Sequence, residues 1–343
     1  MNTVARYVTR HWDQLSLDRF GRPGHLSCLL LTPRFRASRH VVFLVLGNGS
    51  PEPILIAKVP RLPGDDGFLD REVANLRAAH AARPGGFDSI PRVVAYEEYE
   101  GNRLLLESAL VGQAMNRFLV QCQPTSCIEA TMNWLLSFNE ATSDGRQEPQ
   151  ESFQRLVDGP LAQLESLFPL TADEGDLLKK TRELTSPLRD TRFPLVFEHG
   201  DLSAPNLLVL KDGSLGVLDW EMAESSGLPA VDLFFFLTFV AFARRRARKE
   251  RDYLAAFHQA FFGPGAWTRP YVTRYAERLQ LSPQVIEALF VLCWSRYLSN
   301  LAALLCGPGA VLEEETANWL RQNRYFSLWR HALKHVGNLN LIQ

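Results

Sequence analysis

The chain lacks the devices that organise small secreted or metal-stapled folds. Its five cysteines (Cys28, Cys122, Cys127, Cys293 and Cys306) are odd in number and include no Cys-x-x-Cys pair. That pattern argues against a disulfide framework or a structural zinc site and fits a reducing compartment. Charge of one sign is also missing: 37 Lys and Arg stand against 38 Asp and Glu, so nothing points to a nucleic acid or an anionic membrane as partner. The first twenty residues contain Arg6, Arg10, Asp13, Asp18 and Arg19 and no apolar stretch of the secretory kind. The most apolar run, Leu233 to Phe242, is too short to cross a bilayer and begins beside Asp232. Internal repeats and low-complexity linkers are absent. These features predict a soluble, cytoplasmic protein with no nucleic-acid and no membrane partner. At 343 residues the chain is long enough for two domains with sizeable cores.

What is present falls into two compositional halves. Leu26 to Leu31, Val41 to Leu46 and Ile54 to Val59 read as strands separated by polar turns. From Asp66 to Ala82, Leu69, Val73, Leu76 and Ala79 recur at helical spacing until Arg83-Pro84-Gly85-Gly86 stops the pattern. Arg92 to Tyr96 and Arg103 to Glu107 read as two more strands. After Gly112 amphipathic helical patterns take over, at Ala114 to Val120, Ser126 to Asn139, Pro160 to Phe168 and Glu174 to Leu184, and again from about Leu228. The expectation is an α+β chain: an antiparallel sheet with one helix in a domain of residues 1–111, and a mainly helical domain of residues 112–343.

Between the helical stretches lies Phe197-Glu198-His199-Gly200-Asp201-Leu202-Ser203-Ala204-Pro205-Asn206, followed by Leu218-Asp219-Trp220-Glu221. This order suits phosphoryl transfer from Mg-ATP. One carboxylate, Asp201, can accept the proton of an attacking hydroxyl. Asn206, five positions on, and Asp219 offer the hard oxygen donors that Mg²⁺ prefers. The turn Lys211-Asp212-Gly213-Ser214 and the strand Leu215 to Leu218 form a hairpin that brings Asn206 and Asp219 together. A cation for the nucleotide phosphates is available in Lys58, at the end of Ile56-Ala57-Lys58, with Glu72 on the edge of the next helix's buried face as its partner.

Taken together, His199-Gly200-Asp201-Leu202 with Asn206, Leu218-Asp219-Trp220-Glu221, Lys58 and Glu72 resemble the aminoglycoside phosphotransferase and choline kinase-like family, which has a bilobal protein-kinase-like fold. Asp-Phe-Gly and Ala-Pro-Glu, expected of a protein kinase, are absent. The resemblance implies an antiparallel nucleotide-binding lobe and a helical catalytic and substrate-binding lobe. It implies Asp201 as the catalytic base, Asn206 and Asp219 as Mg²⁺ ligands, and Lys58 with Glu72 as the phosphate clamp. His199 would buttress the catalytic segment. Asp232 would hold the start of the next helix, and Glu107 and Ala109 would lie in the hinge that meets adenine. Glu221 is a candidate for gripping an aminated substrate. One departure stands out. The nucleotide-covering loop, Thr32 to His40, contains no glycine, so Arg34, Arg36, Arg39 and Ser38 are the candidates for phosphate contact.

The resulting expectation is an ATP- and Mg²⁺-dependent kinase acting on a hydroxyl of a small molecule: an aminoglycoside, an amino alcohol, a sugar or a related metabolite. The alternative is a nucleotide-binding scaffold of the pseudokinase type, with little or no turnover.

Overall fold

The computed structural model describes residues 2–32, 39–47, 49–143, 148–203, 206–306 and 311–342. Ten strands lie among them: β1 Leu26–Leu31, β2 His40–Gly47, β3 Pro53–Pro60, β4 Val93–Tyr99, β5 Asn102–Ser108, β6 Gly112–Ala114, β7 Val196–Glu198, β8 Leu207–Leu210, β9 Leu215–Val217 and β10 Glu224–Gly227. The chain divides into two compact units. The first comprises Met1–Ala114 and Asn206–Ala223, the second Met115–Pro205 and Glu224–Gln343.

In the first unit an antiparallel sheet runs β1-β2-β3-β5-β4. Strand periodicity sorts its side chains onto two faces. Ala57, Leu104 and Leu106 enter one apolar cluster together with Val4, Tyr7 and Val8 of a helix at Thr3–Arg10. Leu105 enters the other, with Leu69 and Val73 of the helix Gly67–Ala81. Lys58 pairs directly with Leu105 across the β3–β5 ladder, so it shares that second face. The alternation therefore turns Lys58 toward the helix that carries Glu72.

The N-terminal helix was not evident from composition. Only Val4, Ala5, Tyr7 and Val8 mark its buried stripe, and Asn2 caps it by accepting the amide hydrogen of Ala5 at 2.8 Å. A second sheet, β6-β8-β9, completes the unit. It corrects the helix expected from Ala114: Gly112–Ala114 is a strand, and the helix begins only at Arg117, after the Asn116 cap. The partner of β6 is β8, almost a hundred residues away, and no local periodicity announces such a pairing.

The second unit is built on helices around the 23-residue Pro283–Leu305. By length and composition this helix is apolar enough to cross a membrane, yet it is mostly buried and serves as the core of its unit. Phe290 and Trp294 from it pack with Phe257 and Phe261 of the helix Glu250–Phe261 and with Phe234 and Phe235 of Val231–Arg244. The short antiparallel pair β7–β10 lies in this unit. Gly227 is required there because a Cβ would stand 2.5 Å from the Cβ of Glu198. All five cysteines are unbridged.

Candidate active site

In the first unit the chemistry centres on Lys58. Its ammonium donates to Glu72 Oε1, lies 3.3 Å from Asp219 Oδ1 and 3.9 Å from Glu107 Oε1. Burial by itself pulls the lysine pKa down, but Glu107, Glu72 and Asp219 outweigh it and leave the group well above its ordinary value. Lys58 is a permanent cation at neutral pH. The carboxylates feel the opposite pressure. Burial raises Glu72 against the pull of Lys58, and it pushes Glu107 up to about 8. Glu107 and Glu72 are almost fully buried, whereas the Asp219 side chain is one-third exposed.

The segment Asp219-Trp220-Glu221 is held from several directions. Glu72 Oε1 also accepts the Trp220 amide hydrogen at 3.1 Å. The Trp220 indole is fully buried and donates to the Val217 carbonyl. Asn75, which sequence reading passed over, donates its side-chain amide to the carbonyls of Trp220 and Ala223 at 2.9 and 3.0 Å. Between these anchors Asp219 adopts φ +68°, a left-handed conformation that Asp tolerates better than most residues. The hairpin is present: β8 and β9 pair through the turn at Gly213, and the Leu218 amide donates to the Asn206 carbonyl at 2.8 Å. That bond sets Asn206 and Asp219 side by side at the hairpin's open end. His40 Nδ1 lies 3.3 Å from Glu221 Oε2, and donor atoms of His40, Asp219 and Glu221 all fall within 4.8 Å of one another. Four carboxylates thus surround one lysine and one histidine. This oxygen-rich, acid-heavy donor set fits a hard divalent cation such as Mg²⁺.

In the second unit the loop after β7 carries His199-Gly200-Asp201. The amides of His199 and Gly200 donate to the two oxygens of buried Asp232, at 2.7 and 2.9 Å. Gly200 takes φ +81°, which explains a glycine between His199 and Asp201. The Asp201 amide donates to His199 Nδ1 at 3.3 Å, and Ser203 Oγ donates to Asp201 Oδ1 at 3.3 Å. Burial, reinforced by Glu198, raises Asp232 to about 7, with the two amides and Arg296 opposing. Glu198 accepts from Arg296 Nη1 with both oxygens, at 2.5 and 2.6 Å, and from the Leu228 amide at 3.0 Å. Tyr275 Oη accepts the Ala230 amide and the Asn139 side-chain amide. Arg296, Tyr275 and Asn139 are further supports that the motif did not reveal, because they come from distant helices. Burial raises the pKa of Tyr297, and burial raises Tyr325 to about 12. Asp201 adds to both shifts, so these tyrosines are its electrostatic neighbours.

The remaining candidates lie as follows. Glu107 ends β5 with its side chain turned toward Lys58, and Ala109 follows the strand. Ser38 lies outside the described residues.

Residues 34–272 match the model of the phosphotransferase enzyme family, and the chain belongs to that family. Among solved structures it is similar to the choline kinase LicA from Streptococcus pneumoniae, at 12% identity and a TM-score of 0.54, over 95% of this chain and 99% of that one. It is also similar to a protein assigned as a fructosamine-3-kinase from Haemophilus somnus 129PT, at 14% identity and a TM-score of 0.50, over 95% and 97% of the two chains. At those identities the likeness concerns the fold. No curated protein sequence matches the chain.

Proposed function

We propose that this protein is an ATP- and Mg²⁺-dependent phosphotransferase that moves the γ-phosphoryl group to a hydroxyl of a small molecule. The observation that carries this reading is the Lys58 cluster: a buried, permanently charged lysine held by Glu72, with the one-third exposed carboxylate of Asp219 beside it. Folding has no use for so acidic a surround to one lysine, whereas phosphate alignment and cation binding do.

In this reading Lys58 aligns the nucleotide phosphates and Glu72 fixes its ammonium. Asn206 and Asp219 would hold Mg²⁺, which would neutralise charge on the phosphates. Asp201 accepts the proton of the acceptor hydroxyl and orients its oxygen. Asp232 keeps the His199-Gly200 backbone in the conformation that presents Asp201. The first unit carries nucleotide binding and the second carries the base and acceptor binding. The kinase names of the two similar structures favour choline-like or sugar-amine acceptors as the first to assay.

The test is ADP release from ATP and Mg²⁺ across amino alcohols, aminoglycosides and ketoamine sugars, alongside calorimetry of nucleotide binding. Asp201→Ala is expected to abolish transfer to any accepted alcohol while leaving ATP affinity intact. Undiminished turnover in that variant ends the assignment of the base. Nucleotide binding without turnover on any acceptor would support the inactive, scaffold-type reading that the glycine-free segment at 32–40 suggests.

A further inference from the structure

In the second unit three histidines gather on two neighbouring helices. His258 belongs to Glu250–Phe261, while His331 and His335 stand one turn apart on Arg324–His335. His258 Nδ1 and His331 Nε2 are 3.1 Å apart. The ring centroids lie 5.3 Å apart for His258–His331, 5.3 Å for His258–His335 and 4.4 Å for His331–His335. All three are half-buried. Phe262 walls the cluster, stacked on His258 at 5.2 Å and edge-on to His331 at 5.4 Å.

We propose that His258, His331 and His335 form a site for a zinc-class transition-metal ion, separate from the phosphotransfer residues. Two Zn–N bonds at the tetrahedral angle hold their nitrogens about 3.3 Å apart, close to the observed 3.1 Å between His258 and His331. Residues four apart on a helix share a face, and the His335 ring lies 4.4 Å from that of His331, so a rotation of the His335 side chain would bring its nitrogen to the pair. Imidazole without carboxylate selects zinc, nickel or copper over magnesium, so this ion and the phosphotransfer cation do not compete for one donor set.

The protonation state suits a metal. Burial lowers the pKa of His331 to about 4, with His335, His258 and Lys334 adding repulsion. Burial also lowers His335, again with His258 and Lys334 contributing. Lys334 is exposed and can swing into solvent. The single N–H now shared between His258 and His331 moves to the far nitrogen of its own ring. The consequence is mechanical. Phe262 bridges to Leu339, and Asn340 donates to the Gly263 carbonyl, so a metal here would fasten both helices and the C-terminal segment together.

The experiment uses the full chain stripped with EDTA and then titrated with Zn²⁺, or with Co²⁺ as a spectroscopic probe. One equivalent should bind, with the ligand-field bands of tetrahedral Co²⁺ and a raised Tm. His331→Gln and His335→Gln should each weaken that equivalent by roughly tenfold or more. Both should keep the metal-free circular dichroism and Tm of the parent, which separates lost ligation from lost folding. Asp219→Asn should retain the equivalent, because the acidic cluster is not involved. The inference is overturned if the unaltered chain binds no such equivalent. It is equally overturned if His331→Gln and His335→Gln both bind like the parent, or if Asp219→Asn is the variant that loses it.

Discussion

Each unit buries a cation among carboxylates, and the two clusters differ in how completely the carboxylate oxygens are satisfied. In the second unit's cluster every carboxylate oxygen is hydrogen-bonded, Glu198 by Arg296 and Asp232 by two backbone amides, while Arg296 Nε and Asn139 Oδ1 have no hydrogen-bond partner among the described residues. In the first unit Lys58 faces Glu72, Glu107 and Asp219. Glu107 Oε1 and Glu72 Oε2 have no hydrogen-bond partner among the described residues, and Asp219 is partly open to solvent. A satisfied buried network fixes a conformation. An over-acidic one carries a desolvation cost that a bound cation would relieve. On the proposed reading, the satisfied carboxylates position a loop and the unsatisfied ones serve binding.

Breaking each half tests this contrast. The largest effect is expected from Asp201→Ala, whose loop the satisfied cluster supports. Turnover should fall by about 10²–10⁴-fold with nucleotide affinity unchanged, read as ADP release against calorimetry. Next comes Arg296→Met, which strands Glu198 beside Asp232. A loss of about 3–5 kcal/mol in urea unfolding is expected, and a change below 1 kcal/mol would deny the cluster its positioning role.

Glu107→Gln sharpens the comparison from the other side. The folded chain holds the Glu107 proton to about pH 8, well above the ordinary value of 4.5. Its contribution to stability is therefore fully present below pH 4.5 and is lost as pH rises through 8. An amide removes that slope, so the variant should be more stable than the parent at pH 8, by about 1–2 kcal/mol, and show little gain at pH 5. Asp232 bends the parent's curve in the same direction, with its contribution lost as pH rises toward 7. The smallest effect belongs to Asn75→Ala. Losing its two bonds to the carbonyls of Trp220 and Ala223 should cost about 1 kcal/mol and loosen Asp219, seen as a higher Mg²⁺ concentration for half-maximal turnover.

Much of this was legible in the chain. The strands that became β1 to β5, the helix bearing Glu72 and the hairpin between Asn206 and Asp219 all follow from period, turn residues and apolar faces. The motif residues pointed to phosphoryl transfer only as an ordered set, because oxygen donors at those offsets downstream of a lysine-bearing sheet suit a cation-bound phosphate. Other parts were silent. The N-terminal helix is short, and β6 is three residues long and depends on β8 for its backbone bonds. Asn75, Arg296 and His40 touch the motif segments from remote stretches of chain.

Sequence by itself determined which side chains could do chemistry, since residue type and local spacing set donor hardness, charge and the face each residue takes on its own element. Tertiary structure alone decided which of them are satisfied. The burial that raises Glu107 and Asp232, the amides that quiet Asp232 and the clustering of three histidines from two helices all arise from contacts distant in sequence. Desolvation and hydrogen bonding act through space, and their outcome is fixed only once the chain has closed around them.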